Sequence, residues 1–169
     1  MRNYILMAGA TLALSACASM APMPSTAMPY LAAAASSDQF EIQSSQEALN
    51  KSQNPEVRRY AQMLIDHHTQ TSATLMAAAR DAGMTPPPPM LMPRHAAMLR
   101  TIQAAPAARF DAVYMGAQVP AHQEALALHQ NYSANGDTQS LRNAATAAVP
   151  FVQQHLTEAQ SMVATMARR

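Results

Sequence analysis

After about residue 31, apolar and small side chains recur at alternating three- and four-residue steps, the period of helices that bury one face. Over the second long predicted helix the step selects Val57, Ala61, Leu64, His68, Thr71, Leu75, Ala78 and Ala82. Over the last it selects Leu141, Ala145, Ala148, Val152, His155, Ala159, Met162 and Met166, and a third run passes through Met115, Val119, His122, Leu126, His129 and Ser133. Such stripes are the seams of helices packed at shallow angles. The first helix, from about Ala32 to Ser52, is striped less clearly. Its Glu41 face continues through Ser44, Ser45 and Ala48, small residues that admit a close neighbour.

The breaks between helices are marked chemically. Asn54-Pro55 starts the second helix with proline in its first position, and Gly83 stops it near Ala82. The five prolines of Thr85 to Pro93 form a stiff connector, followed by a short helix over Arg94 to Gln103. The third long helix covers about Ala107 to Ala134. Asp137 or Thr138 caps the fourth, which runs to about Ala167. Four long helices with one long proline-rich connection between the second and third predict an all-α, ferritin-like four-helix bundle over residues 32–169.

Composition agrees. The 169 residues suffice for one domain, and 37 alanines with 14 methionines supply apolar character suited to helices. Four glycines and no tryptophan argue against a sandwich or barrel. Eleven basic and ten acidic groups nearly cancel, leaving no electrostatic footprint for nucleic acid.

The N-terminus reads as an export signal: Arg2, then an uncharged, mostly apolar run from Tyr4 to Leu14 too short to span a bilayer permanently. It ends in Leu14-Ser15-Ala16-Cys17, which looks like the lipobox of bacterial lipoproteins, in which the cysteine carries the lipid. Residues 1–17 are then the signal segment, Cys17 the lipidation site and residues 18–31 a flexible tether. Ala18 stands where inner-membrane retention usually has Asp, so this resemblance implies anchoring to the outer membrane from the periplasm. The alternative is an ordinary secretory signal with Cys17 incidental. Cys17 is the only cysteine, which excludes cysteine proteases, zinc ribbons and thioredoxin-like chemistry.

Three seams carry a histidine at mid-length, His68, His122 and His155, and the first helix carries Glu41. Buried ionisable groups cost several kcal/mol unless paired, and metal coordination pairs several at once. Folding the first two helices about residues 53–54 leaves Glu41 and His68 about two residues, roughly 3 Å, apart in level. Folding the last two about Gly136 leaves His122 and His155 five residues, roughly 7 Å, apart. Pro120 and Pro150 lie near enough to re-aim them. The set Glu41, His68, His122 and His155 suits one zinc, copper, iron or manganese ion. The alternative is a polar core network in a non-catalytic envelope interaction or stress protein. No nucleophile, phosphate loop or paired acid–base motif appears, so only a metal would supply catalytic chemistry. His129 and Glu158 are secondary ligand candidates, Asp111 complements a helix dipole, and His67 points about 100° from His68, toward solvent or a helix flank. Met84, Met90, Met92, Met98 and His95 surround the connector, as loop packing or as a copper(I) site.

Glu41, Tyr60-Ala61-Gln62-Met63 before His68-Thr69, Phe110-Asp111-Ala112-Val113-Tyr114 before His122, and Val149-Pro150-Phe151-Val152-Gln153-Gln154-His155-Leu156 occur in order. In this the chain resembles the domain-of-unknown-function 4142 family of exported and outer-membrane proteins, over about Ser36 to Met162. The resemblance implies a ferritin-like fold and no particular activity. One departure stands out: the family usually has Asp before the second-helix histidine, where this chain has His67, with Asp66 one place earlier. The paired Glu-x-x-His motifs of diiron ferritins are also missing, which favours a mononuclear site.

Overall fold

The computed structural model describes residues 23–168 apart from 87; the expected signal segment, Cys17 and residues 18–22 lie outside them. The described chain is all-helical: α1 (Ala27–Lys51), α2 (Pro55–Asp81), α3 (Pro93–Gln103), a single 3-10 turn (Ala107–Arg109), α4 (Phe110–Asn135) and α5 (Gln139–Met166). None of these helices is long and apolar enough to cross a membrane. Asn54 caps α2 as its type predicts, Oδ1 accepting the Glu56 N–H at 3.0 Å. Gly83, at φ 70°, ends it, and the Met84 N–H turns back to the Ala79 carbonyl at 2.9 Å.

Two local expectations are corrected. Residues 27–31 belong to α1 rather than to a tether. Pro29 falls in the first helical turn, where the missing N–H has no intrahelical partner to lose, and Tyr30 and Leu31 are fully buried. Thr138 takes the N-cap position of α5 as expected, but neither it nor Asp137 makes a side-chain capping bond there. The Asp137 carboxylate instead accepts the Tyr132 hydroxyl at 2.9 Å and, at 3.3 Å, the Ala27 N–H in the first turn of α1.

Side-chain bonds fix the helix directions. Ser45 meets Tyr114 while Tyr30 stacks on Tyr132, so α1 and α4 run antiparallel. Arg59 meets Glu158 while Ser140 reaches the Ala78 carbonyl, so α2 and α5 do too. Three-residue turns join α1 to α2 and α4 to α5. Hence α2 and α4 run the same way, and the proline-rich stretch with α3 travels back between them. There α3 lies on α1 and α4, burying His95, Leu99 and Ile102. This accounts for the weak stripe of α1, which is covered by α2, α4 and α3 together.

The apolar interior forms two clusters. One gathers Phe40, Val57, Tyr60, Leu64, Phe110 and Met115; the other gathers Tyr30, Leu31, Leu75, Leu128, Tyr132 and Leu141. Along α2 and α4, His68 and His122 fall between the stretches that feed the two clusters. The connector methionines do not gather at one point, since Met98 packs on the first cluster and Met84 on the second.

Two glycines give opposite expectations. A Cβ at Gly136 would lie 2.6 Å from the Tyr132 carbonyl oxygen, whereas one at Gly116 meets nothing within 4 Å. Gly136→Ala is expected to destabilise the fold by about 1–3 kcal/mol. Gly116→Ala, inside α4, is expected to stabilise it by about 0.5–1 kcal/mol. Urea midpoints of the two variants check both signs.

Candidate metal centre

His68 on α2, His122 on α4 and His155 on α5 are 3%, 0% and 1% exposed. Their rings stand at the corners of a nearly equilateral triangle. Centroids are 5.2 Å apart for His68 and His155, 5.3 Å for His122 and His155, and 5.7 Å for His68 and His122. Each ring offers one nitrogen within 4.8 Å of the other two. The five-residue offset expected between His122 and His155 does not keep them apart. Side chains lean toward their own helix N-terminus, so on antiparallel α4 and α5 the two lean toward each other's level.

One nitrogen of each ring is held from behind. His122 Nδ1 donates to the Gln118 carbonyl at 2.9 Å, and His68 Nδ1 donates to Asp38 Oδ1 at 2.8 Å. Both acceptors lack protons, so in the neutral rings Nε2 is a bare lone pair. His155 Nε2 lies 2.8 Å from His67 Nδ1; when His155 is the donor, its Nδ1 is bare too. Among the described residues, the buried ring nitrogens left without a hydrogen bond are His68 Nε2, His122 Nε2 and His155 Nδ1. Burial and then the neighbouring His68 hold His122 down to about 3. His155 is pushed down to about 2 by burial first and then by His68, His122 and His67.

Glu41 is fully buried, but it meets the triad from outside. Its Oε1 lies 3.6 Å from His122 Nδ1, the nitrogen already committed to Gln118. Neither carboxyl oxygen has a hydrogen-bond partner among the described residues. Burial, and then the Asp38 charge, push this carboxyl well above the ordinary carboxylate range. The structure thus brings together three of the four expected residues and leaves Glu41 behind one of them. His129 is buried apart from the triad, with Nδ1 3.0 Å from the Tyr30 hydroxyl. Glu158 pairs with Arg59, and exposed Asp66 accepts from Gln62 at 2.9 Å.

Two residues that the sequence left unassigned complete the arrangement. Asp38 is buried on α1 and accepts not only His68 but also Thr71 Oγ1 at 3.3 Å and Ser72 Oγ at 2.7 Å. Its one sequence signal was its place three residues before Glu41, on the same helix face. His67 takes the flank orientation, reaching α5 at His155 with its ring 5.2 Å from that of Phe151. Orienting a ligating ring through its far nitrogen is the usual work of outer groups at metal sites. A pocket of about 150 Å³ opens beside Asp38 and His67.

Residues 12–162 match the family described as "Domain of unknown function (DUF4142)". Among solved structures the chain is similar to "CopM in the Cu(II)-bound form", with 18% sequence identity and a TM-score of 0.71. That match covers 83% of this chain and 97% of the other, and at such identity it is a likeness of fold. No curated protein matches.

Acid is expected to destabilise the metal-free protein. Buried His122, His155 and His129 are held near 3, 2 and 4, against an ordinary value of 6.5. Above pH 6.5 these groups are neutral both folded and unfolded. Below it the unfolded chain takes up protons that the folded chain refuses, so stability falls from pH 6.5 toward pH 4. Glu41, raised in the fold, opposes this with the contribution of a single proton. Urea midpoints in chelator should fall between pH 7 and pH 5; a midpoint that stays level or rises contradicts the burial of neutral rings.

Proposed function

The chain belongs to the DUF4142 family, and from its own residues we propose an exported metal-binding protein in which His68, His122 and His155 hold one transition-metal ion. The observation that carries this reading is that three buried histidines from three helices each bring a ring nitrogen within 4.8 Å of the other two, and each has one nitrogen without a hydrogen bond among the described residues. A purely structural polar network would pair its members. Here each ring has one nitrogen hydrogen-bonded and the other without a partner among the described residues. An unpaired buried polar group costs roughly 1–3 kcal/mol, and a metal ion would satisfy all three lone pairs together.

Neutral imidazoles suit copper and zinc better than they suit manganese. Cu(II) is the first ion to test, because it heads the affinity order for nitrogen sites and because the similar CopM structure holds Cu(II). We leave Glu41 out of the ligand set, as a carboxyl group backing His122. The arrangement of α1, α2, α4 and α5, with the proline-rich return between α2 and α4, supports reading the fold as a ferritin-like four-helix bundle. We further propose that the domain is tethered in the periplasm to the outer membrane through a lipid on Cys17, on the strength of the lipobox-like Leu14-Ser15-Ala16-Cys17. Cys17→Ser should then move the protein from the membrane fraction to the soluble periplasmic fraction; unchanged membrane association refutes the anchor.

Protein purified without chelator is expected to carry about one metal ion per chain, and added Cu(II) or Zn(II) should raise the melting temperature of stripped protein. His122→Ala with His155→Ala should abolish both effects, while His129→Ala retains them. Stripped protein whose melting temperature ignores both ions would contradict the metal reading.

A further inference from the structure

A second group of metal-ligating side chains lies outside the histidine triad, in a groove of about 740 Å³ bounded by α1, α3 and α4. Apart from a few polar groups its walls are apolar or small, with Pro24, Pro29, Pro120 and Leu128 among them. Met23, Met92 and His95 line it together. We propose that this groove binds a soft monovalent metal ion, of the Cu(I) and Ag(I) class, through the thioethers of Met23 and Met92 and the imidazole of His95.

His95 repeats the arrangement of the triad rings. Its side chain is 5% exposed. Its Nδ1 is fixed by Ser36 Oγ at 2.7 Å, and its ring stacks on Phe40 with centroids 5.5 Å apart. The same Ser36 oxygen accepts the Met92 N–H at 2.8 Å, which ties the start of α3 to the ring. Nε2 has no hydrogen bond among the described residues; it lies 4.0 Å from Glu124 Oε1 at the groove. Burial holds the ring below its ordinary value, and in the tautomer whose Nδ1–H donates to Ser36 Oγ the lone pair lies on Nε2. Arg94, the cation on this wall, is matched by Glu124 at 2.6 Å and leaves little net charge against an incoming cation.

The thioethers supply the selectivity. Soft sulfur donors favour Cu(I) over harder divalent ions, and methionine's unbranched chain adapts its position to the ion. Met92 is 39% exposed at the start of α3. Met23 comes from the opposite side of the connector, before α1, so the site joins two segments distant in sequence.

The site shares no residue with the triad, so the two are tested separately. The test is anaerobic Cu(I) titration of the full chain against bathocuproine disulfonate, in a His122→Gln, His155→Gln background. One Cu(I) per chain should remain bound there. Adding Met23→Leu and Met92→Leu, which nearly conserve volume, should weaken binding at least tenfold with the melting temperature unchanged, and His95→Gln should do the same. Zn(II) should not compete. Loss of Cu(I) binding in the triad-disabled background, or Leu variants that bind Cu(I) as tightly as their parent, would overturn the proposal and leave the triad assignment standing.

Discussion

The structure turns on three buried imidazoles from three helices, each with one ring nitrogen that has no hydrogen bond among the described residues. One nitrogen of each ring is held by a carbonyl, a carboxylate or another imidazole, so no ring can turn without breaking a hydrogen bond. An apolar core of equal volume would spare the chain this desolvation. The histidines sit where the apolar packing of α2 and α4 is interrupted. The two clusters that flank them supply the apolar burial that has to offset their cost.

Much of the fold was legible because the alternating step survives along α2 and α5. Val57, Ala61, Leu64 and His68 are buried as that step requires, and so are Leu141, Ala145, Ala148, Val152 and His155. Along α4 the stripe holds in part: Met115, His122 and His129 are buried as expected, Tyr114, Gln118, Ala121 and Ala125 are buried beside them, and Val119 and Leu126 are only partly so. The start of α1 was placed too late because residues 27–31 were assigned to the tether, whereas Pro29 falls in the first helical turn. The Glu41, Ser44, Ser45 and Ala48 face of α1 is buried as expected, but the rest of its covered surface could not be read, since α3 also packs on it.

The candidate centre divides in the same way. The histidines were visible because a polar residue in an apolar seam is an anomaly that one sequence can show. Their supports were not. Asp38 sits on α1, which has no clear stripe to mark it as inward. His67 looked incidental because its partner, His155, lies on another helix. Asp38 enters from α1 to hold His68, whereas exposed Asp66, one turn before Gln70, plays no part there. Glu41 was read correctly as buried; its Oε1 meets His122 at Nδ1, since level along a helix does not tell which edge of a neighbouring ring a carboxyl will meet.

The most direct test is X-ray absorption on protein loaded with one equivalent of Cu(II). The account predicts imidazole scattering from three histidines, falling to two in His155→Gln. A shell dominated by oxygen, or a histidine count unaltered by that substitution, would contradict it.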